Sequence, residues 1–208
     1  MKAGLWGKKV GMTQIFASDR KVVPVTVVDV SDWIITQIKT DAVDGYSALQ
    51  LGCLRDRYTD KPFDKEWLKS LKTYFRSIRE VVLSEDVDAS LEIGSVFDGS
   101  SLLAEGDVVD AVGETIGRGF QGVVRRYNFT GGHGSHGCRI GRHPGSLSFM
   151  RRQGRVIKGK GMPGHMGGDR CMMQNLKVVR VAPESKIVLI KGSVPGKVGS
   201  LIYLKKRS

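Results

Sequence analysis

Four side chains in one short stretch have the types to do chemistry: His133, His136, Cys138 and His143, spaced H-x2-H-x-C-x4-H. Imidazole and thiolate are zinc ligands, but structural zinc sites usually repeat a C-x2-C or C-x3-H pair on regular structure. No second pair and no helix or strand period flanks this cluster. A cysteine with a nearby histidine is also the core of a nucleophilic pair. No third orienting group and no oxyanion-forming turn accompanies Cys138. Two glycine-rich runs, GRGFQG (117–122) and GKGMPGHMGG (159–168), resemble phosphate-cradling loops. Neither fits G-x-x-x-x-G-K-[ST], nor a G-x-G-x-x-G that follows a strand. Paired carboxylates for acid–base work are absent from the region. The expectation is therefore no enzyme, no metal centre and no cofactor. The histidines are read as small, partly charged contacts to nucleic acid.

The segment that carries these residues, 117–170, explains that reading. It holds all four histidines of the chain and is punctuated by glycine throughout. Residues 112–175 contain eleven basic and two acidic residues, a net +9, whereas the remainder carries 22 against 19. A stretch this long without regular structure is disordered, functional, or ordered by a partner. As a hairpin-like excursion it could reach about 90 Å. Arginine forks suit phosphate oxygens and stack on bases, and Tyr127, Phe129 and Phe149 are interleaved for stacking. Such a segment can thread between RNA helices, with the RNA supplying the ordering energy. The candidate RNA contacts are Arg118, Arg125, Arg126, Arg139, Arg142, His143, Arg151, Arg152, Gln153, Arg155, Lys158, Lys160, His165 and Arg170.

The bulk numbers agree. The 208 residues carry a formal net charge of +12, and 40% are hydrophobic. A core is affordable, and the positive field attracts polyanions. No apolar run approaches the ~20 residues of a membrane span, and MKAGLWGKKVGMTQIF is broken by glycine and lysine too early for a signal peptide. Three scattered cysteines, Cys53, Cys138 and Cys171, fit a reducing compartment. Cys53, Cys171 and the three tryptophans, Trp6, Trp33 and Trp67, are read as core or interface residues.

The flanks must position the segment. KVVPVTVVDV (21–30), WIITQIK (33–39) and YSALQLGC (46–53) read as strands, with DAVDG as the turn between the last two. DVVDAV (107–112), LKVVRVA (176–182), KIVLIK (186–191) and LIYLK (201–205) follow. Trp67, Leu68, Leu71 and Phe75 keep helical spacing within 62–82, and past Arg76 a strand is also possible. The fold class expected is mainly β: a barrel formed by both chain ends, with a long irregular basic central extension and a small mixed α/β insertion. The domains expected are 1–116 with 171–208 as the barrel, an insertion at about 54–105, and 117–170 as the extension.

The motifs also resemble a known family. GLWGKKVGMTQIF (4–16), the spaced set from Leu103 through Asp110, Gly113, Thr115, Gly117-Arg118-Gly119, Gly122 and Arg125-Arg126, then FTGGHGSHG (129–137), RHPGSLS (142–148), GRVIKGKGMPGHMG (154–167), QNLKVVRV (174–181) and KGSVPGKVGS (191–200) stand in the order seen in bacterial-type large-subunit ribosomal protein L three. The resemblance covers essentially the whole chain and is weakest over 54–105. It implies a translation-protein-type barrel packed on rRNA near the 3′ end of the large rRNA. It also implies a central extension running toward the peptidyl transferase centre, with 145–154 as its tip and Arg142, Arg151, Arg152 and Arg155 as contacts. Members are early assembly proteins and not enzymes. The partners implied are large-subunit rRNA and neighbouring large-subunit proteins, with no membrane and no small-molecule substrate; the location implied is cytoplasmic, on the ribosome. The position where some relatives carry a methylated glutamine falls on Arg151, with Gln153 two residues on, so no methylglutamine is expected. The alternative is a free-standing RNA-binding or RNA-chaperone protein on the same barrel.

Overall fold

A computed structural model describes residues 4–17, 20–59, 61–83, 91–148 and 154–207. The strands are β1 (Gly4–Phe16), β2 (Val22–Asp29), β3 (Trp33–Lys39), β4 (Ala48–Leu54), β5 (Phe75–Val82), β6 (Val108–Glu114), β7 (Phe120–Gln121), β8 (Gly164–His165), β9 (Arg170–Ala182), β10 (Ile187–Lys191) and β11 (Leu201–Lys206). The short helices are α1 (Asp41–Asp44), α2 (Leu71–Tyr74) and α3 (Val123–Tyr127). Two compact units result: Met1–Glu114 with Arg170–Ser208, and Thr115–Asp169.

In the first unit, six antiparallel strands close a barrel in the order β1-β11-β6-β9-β10-β2. Alternation decides what faces inward. Ile202 and Leu204 of β11 are fully buried, as are Val109 and Ala111 of β6 and Val188 and Ile190 of β10. They join Leu5, Val28 and Val178 in one core, completed by Leu103 and Val194 from connecting segments. Each valine, leucine or isoleucine of this set contributes roughly 1.5–3 kcal/mol by burial. Both chain ends supply it, as the mainly-β reading expected.

Strand β1, with β9 the longest of the barrel, is not among the strands expected from local pattern. Its glycines hid it. Gly7 is there for close approach: a Cβ would stand 2.5 Å from Val28 Cγ1 and 2.9 Å from the carbonyl oxygen of Asp29. Lys9, only 8% exposed, donates from Nζ to the carbonyl oxygens of Val194 (2.8 Å) and Gly196 (2.9 Å).

A second difference concerns β3 and β4. Both form as expected, but outside the barrel: β3 pairs with β4 and β4 with β5 in a three-stranded sheet, β3-β4-β5. The reason is that both faces of this sheet are apolar. Trp33, Ile35, Leu49, Leu51 and Val81 pack with Trp6, Leu201 and Tyr203 from the outer side of the barrel strands. Ile34, Leu54, Trp67 and Phe75 pack with Tyr58, Phe63, Leu71 and Tyr74 on the other face. Trp6 and Tyr203 stand 4.9 Å apart between ring centroids, and Trp6 Nε1 donates to the carbonyl oxygen of Glu80.

The helical spacing over 62–75 becomes a 3-10 stretch at Lys65–Ser70 followed by the single turn α2. Trp67 stacks on Tyr74 at 5.4 Å and contacts Tyr58 and Phe63. From Phe75 the chain is captured by β4, with Leu54 opposite Phe75 and Ala48 opposite Val82. Long-range pairing thus overrides a local helical pattern. Strand β9 begins at Arg170, six residues before the expected start, with Glu114 opposite Arg170. Among the described residues no helix is long and apolar enough to cross a membrane.

Candidate nucleic-acid interface

The second unit begins where β6 and β9 part. Thr115 N donates to the carbonyl oxygen of Asp169, and Gly168 N to that of Thr115. Next, Arg118 N donates to Met166 O and Met166 N to Gly119 O. The two-residue strands β7 and β8 then pair, with Phe120 opposite His165 and Gln121 opposite Gly164. Gly119 lies at φ +65, a conformation that favours glycine.

Helix α3 follows directly. Val123 is fully buried and anchors it, and Asn128 closes it at φ +58. The side chains that brace this turn are ones the sequence offered as RNA contacts. Arg126 Nη1 donates to the carbonyl oxygen of Met162 at 2.8 Å, and its guanidinium lies 5.0 Å from the Tyr127 ring centroid. A Cβ on Gly164 would stand 2.7 Å from that same Nη1, and one on Gly161 would stand 2.9 Å from the Tyr127 ring. Tyr127 and Phe129 are tilted neighbours at 6.1 Å. Arg126 therefore brackets 126–129 against 161–164 and already has a carbonyl partner. The unit has more internal architecture than an irregular loop.

The loop over 130–143 is closed by Gly132 N donating to Gly141 O at 2.7 Å. Cys138 sits inside it, and a Cβ on Gly132 would come within 2.7 Å of its Sγ. Backbone N–H groups of Gly141, Ile140 and His133 hold the Cys138 thiol below its ordinary value. The surrounding His133, His136, Arg139, Arg142 and His143 are exposed. Among the described residues, no group of three or more His, Cys, Asp or Glu side chains is placed to hold a metal ion.

Arg118, Arg125, Arg155, Lys158, Lys160 and His165 are also exposed. Arg170 belongs to β9, in the other unit. Arg151, Arg152 and Gln153 lie outside the described residues, as does Phe149. The charge is almost uncompensated: residues 115–169 hold ten Lys and Arg and one acid, Asp169. Among the described residues the ion pairs are Lys39–Glu80, Lys206–Asp107 and Arg207–Asp110, all in the barrel unit. A surface that leaves its cations unpaired presents a strong field to a polyanion. The residue that sequence reasoning missed is Phe120, a lone aromatic between glycines, 76% exposed. Its only signal was its place in GRGFQG, where no period marks it.

Comparison with known proteins adds the following. A family model described as Ribosomal protein L3 matches residues 89–186. Large ribosomal subunit protein uL3 of Syntrophotalea carbinolica is 44% identical over 208 residues, covering 99% of this chain and 98% of its own. The protein of the same name from Pelobacter propionicus is 42% identical over 99% of this chain and 98% of its own length. The one from Desulfitobacterium hafniense is 44% identical over 97% and 94%.

Proposed function

Because the chain belongs to the ribosomal protein L3 family, we propose that it is built into the large ribosomal subunit as a structural, non-catalytic component. It binds large-subunit rRNA near the 3′ end and supports early assembly of the subunit. Its Thr115–Asp169 unit buttresses the peptidyl transferase centre, with 145–154 as the tip. Neighbouring large-subunit proteins are its other partners, on ribosomes in the cytoplasm.

The observation that carries the RNA-binding part is the set of exposed cations with no acidic partner: Arg118, Arg125, Arg139, Arg142, Arg155, Lys158 and Lys160. Phosphate contacts of this kind position a protein on RNA without reading sequence. Specificity then has to come from RNA shape and unpaired bases. Arg126 contributes by holding the unit's own turns together.

The test is binding of the full chain to a transcript of the large-subunit rRNA 3′ domain across a salt titration, beside an unrelated RNA of equal length. Phosphate-dominated affinity falls steeply with salt on either RNA. The rRNA transcript is expected to keep a clear advantage at high salt. Convergence of the two curves would sink the specific reading and favour a general RNA chaperone.

A further inference from the structure

We propose that Phe120 and His165 form a stacking platform for an unpaired base of the bound RNA. The inference rests on the rRNA-binding function above and adds to it a site for one nucleotide.

Phe120 and His165 are direct cross-strand neighbours on the β7–β8 ribbon. Directly opposed residues of an antiparallel pair project to the same face, so the phenyl and imidazole rings share one side of the ribbon. Both side chains are exposed, and Phe120 is the most exposed of the large aromatic residues described. A phenylalanine left in water forfeits the free energy its burial would supply. Elsewhere in the unit Phe129 is half-buried, and Tyr127, 45% exposed, lays part of its ring over Gly161. The ribbon under Phe120 is backbone-bonded on one side of the pair through Arg118, Gly119 and Met166, and continues on the other through the Gln121–Gly164 pair. The ring therefore stands on a fixed base.

The space around it is open. A Cβ added at Gly117, Gly119 or Gly122 would meet nothing within 4 Å. Gly119 needs its positive φ, but Gly117 and Gly122 are required neither by packing nor by a left-handed backbone. Their lack of side chains leaves clear approach to the ring for a flat partner. Arg118, two residues away and exposed, supplies a cation for the phosphate of the same nucleotide. An exposed ring can also mark a protein contact. The net positive, nearly acid-free unit around this one favours RNA, and base–aromatic stacking is indifferent to base identity.

The test uses the full chain and the rRNA 3′-domain transcript, with Phe120→Ala, Phe120→Tyr and His165→Ala compared with wild type. Phe120→Ala should weaken binding by about tenfold at every salt concentration, because stacking is not ionic. The salt slope should stay that of wild type. Phe120→Tyr should restore affinity, and His165→Ala should give a smaller loss. Thermal unfolding of each free variant should match wild type. Wild-type affinity in Phe120→Ala overturns the platform, and so does a loss matched by a lower unfolding temperature, which makes the ring structural. If wild type itself shows no preference for the rRNA transcript, the ribosomal RNA-binding function fails instead. The effect of Phe120→Ala on the unrelated RNA then judges the platform separately.

Discussion

Lys9 reaches the carbonyl oxygen of Val194 at 2.8 Å, joining the first barrel strand to the connection between β10 and β11. The same Nζ bonds Gly196 O, and the backbone of Lys9 exchanges bonds with Ser200 O and Gly199 N. One lysine thus ties down most of the GSVPGKVGS turn. Lys9→Met keeps the stem but orphans two carbonyls in a largely buried place. The expected loss is about 1–3 kcal/mol, read by urea unfolding of the free protein. The neighbouring Lys8 is exposed, and Lys8→Met should stay within about 0.5 kcal/mol of wild type.

The glycines of β1 are not equivalent. Gly7→Ala forces its methyl group against Val28 and a backbone oxygen, whereas Gly11→Ala enters open space. Gly7→Ala should cost about 1–3 kcal/mol. Gly11→Ala should be neutral or slightly stabilising, since alanine narrows the unfolded ensemble. Equal unfolding midpoints for the two variants would contradict the close approach of β1 and β2.

Cys138 and Cys53 differ in acidity in opposite directions. Backbone N–H groups lower the Cys138 thiol, while burial raises that of Cys53, with the Asp32 carboxylate adding to it. The thiolate is the reactive form. The alkylation rate of Cys138 should therefore rise at lower pH than that of a free thiol, and the rate of Cys53 at higher pH. Peptide mass spectrometry after timed iodoacetamide labelling across pH gives both profiles. Overlapping profiles would remove the backbone cradle from consideration.

The barrel should outlive loss of the second unit. Glu114 and Arg170 are paired across β6 and β9, so a two-residue hairpin turn can replace 115–169. All residues of the barrel core lie outside the excised segment. Cooperative thermal unfolding of the shortened chain is expected, together with a shallower salt dependence of RNA binding. A chain that unfolds gradually instead would mean that the barrel needs the excised residues.

Much of the barrel was legible because β-branched runs such as KIVLIK announce half-buried strands. What sequence concealed was pairing. WIITQIK and YSALQLGC read correctly as strands, yet nothing local says that they form a sheet with β5 and not with the barrel strands. Strand β1 was hidden because Gly4 and Gly7 make room for side chains of other strands, Tyr203 and Val28, which no local pattern announces. In the basic unit, composition located the cations but could not rank them. Arg126 and Arg125 are adjacent and identical in type, yet one is bracketed by Met162 O and Tyr127 and the other is exposed. Phe120 was passed over because a single aromatic carries no period.

The juxtaposition of Glu114 and Arg170 also governs what the Thr115–Asp169 unit can become. For the barrel, a segment that leaves and re-enters at paired residues costs mainly the entropy of closing a loop. That term grows with the logarithm of length, so doubling the 55 residues between Glu114 and Arg170 would add only about 0.6 kcal/mol. Reach and foundation are thermodynamically uncoupled. Insertions or deletions between these two residues can change the length of the second unit while the barrel keeps its stability.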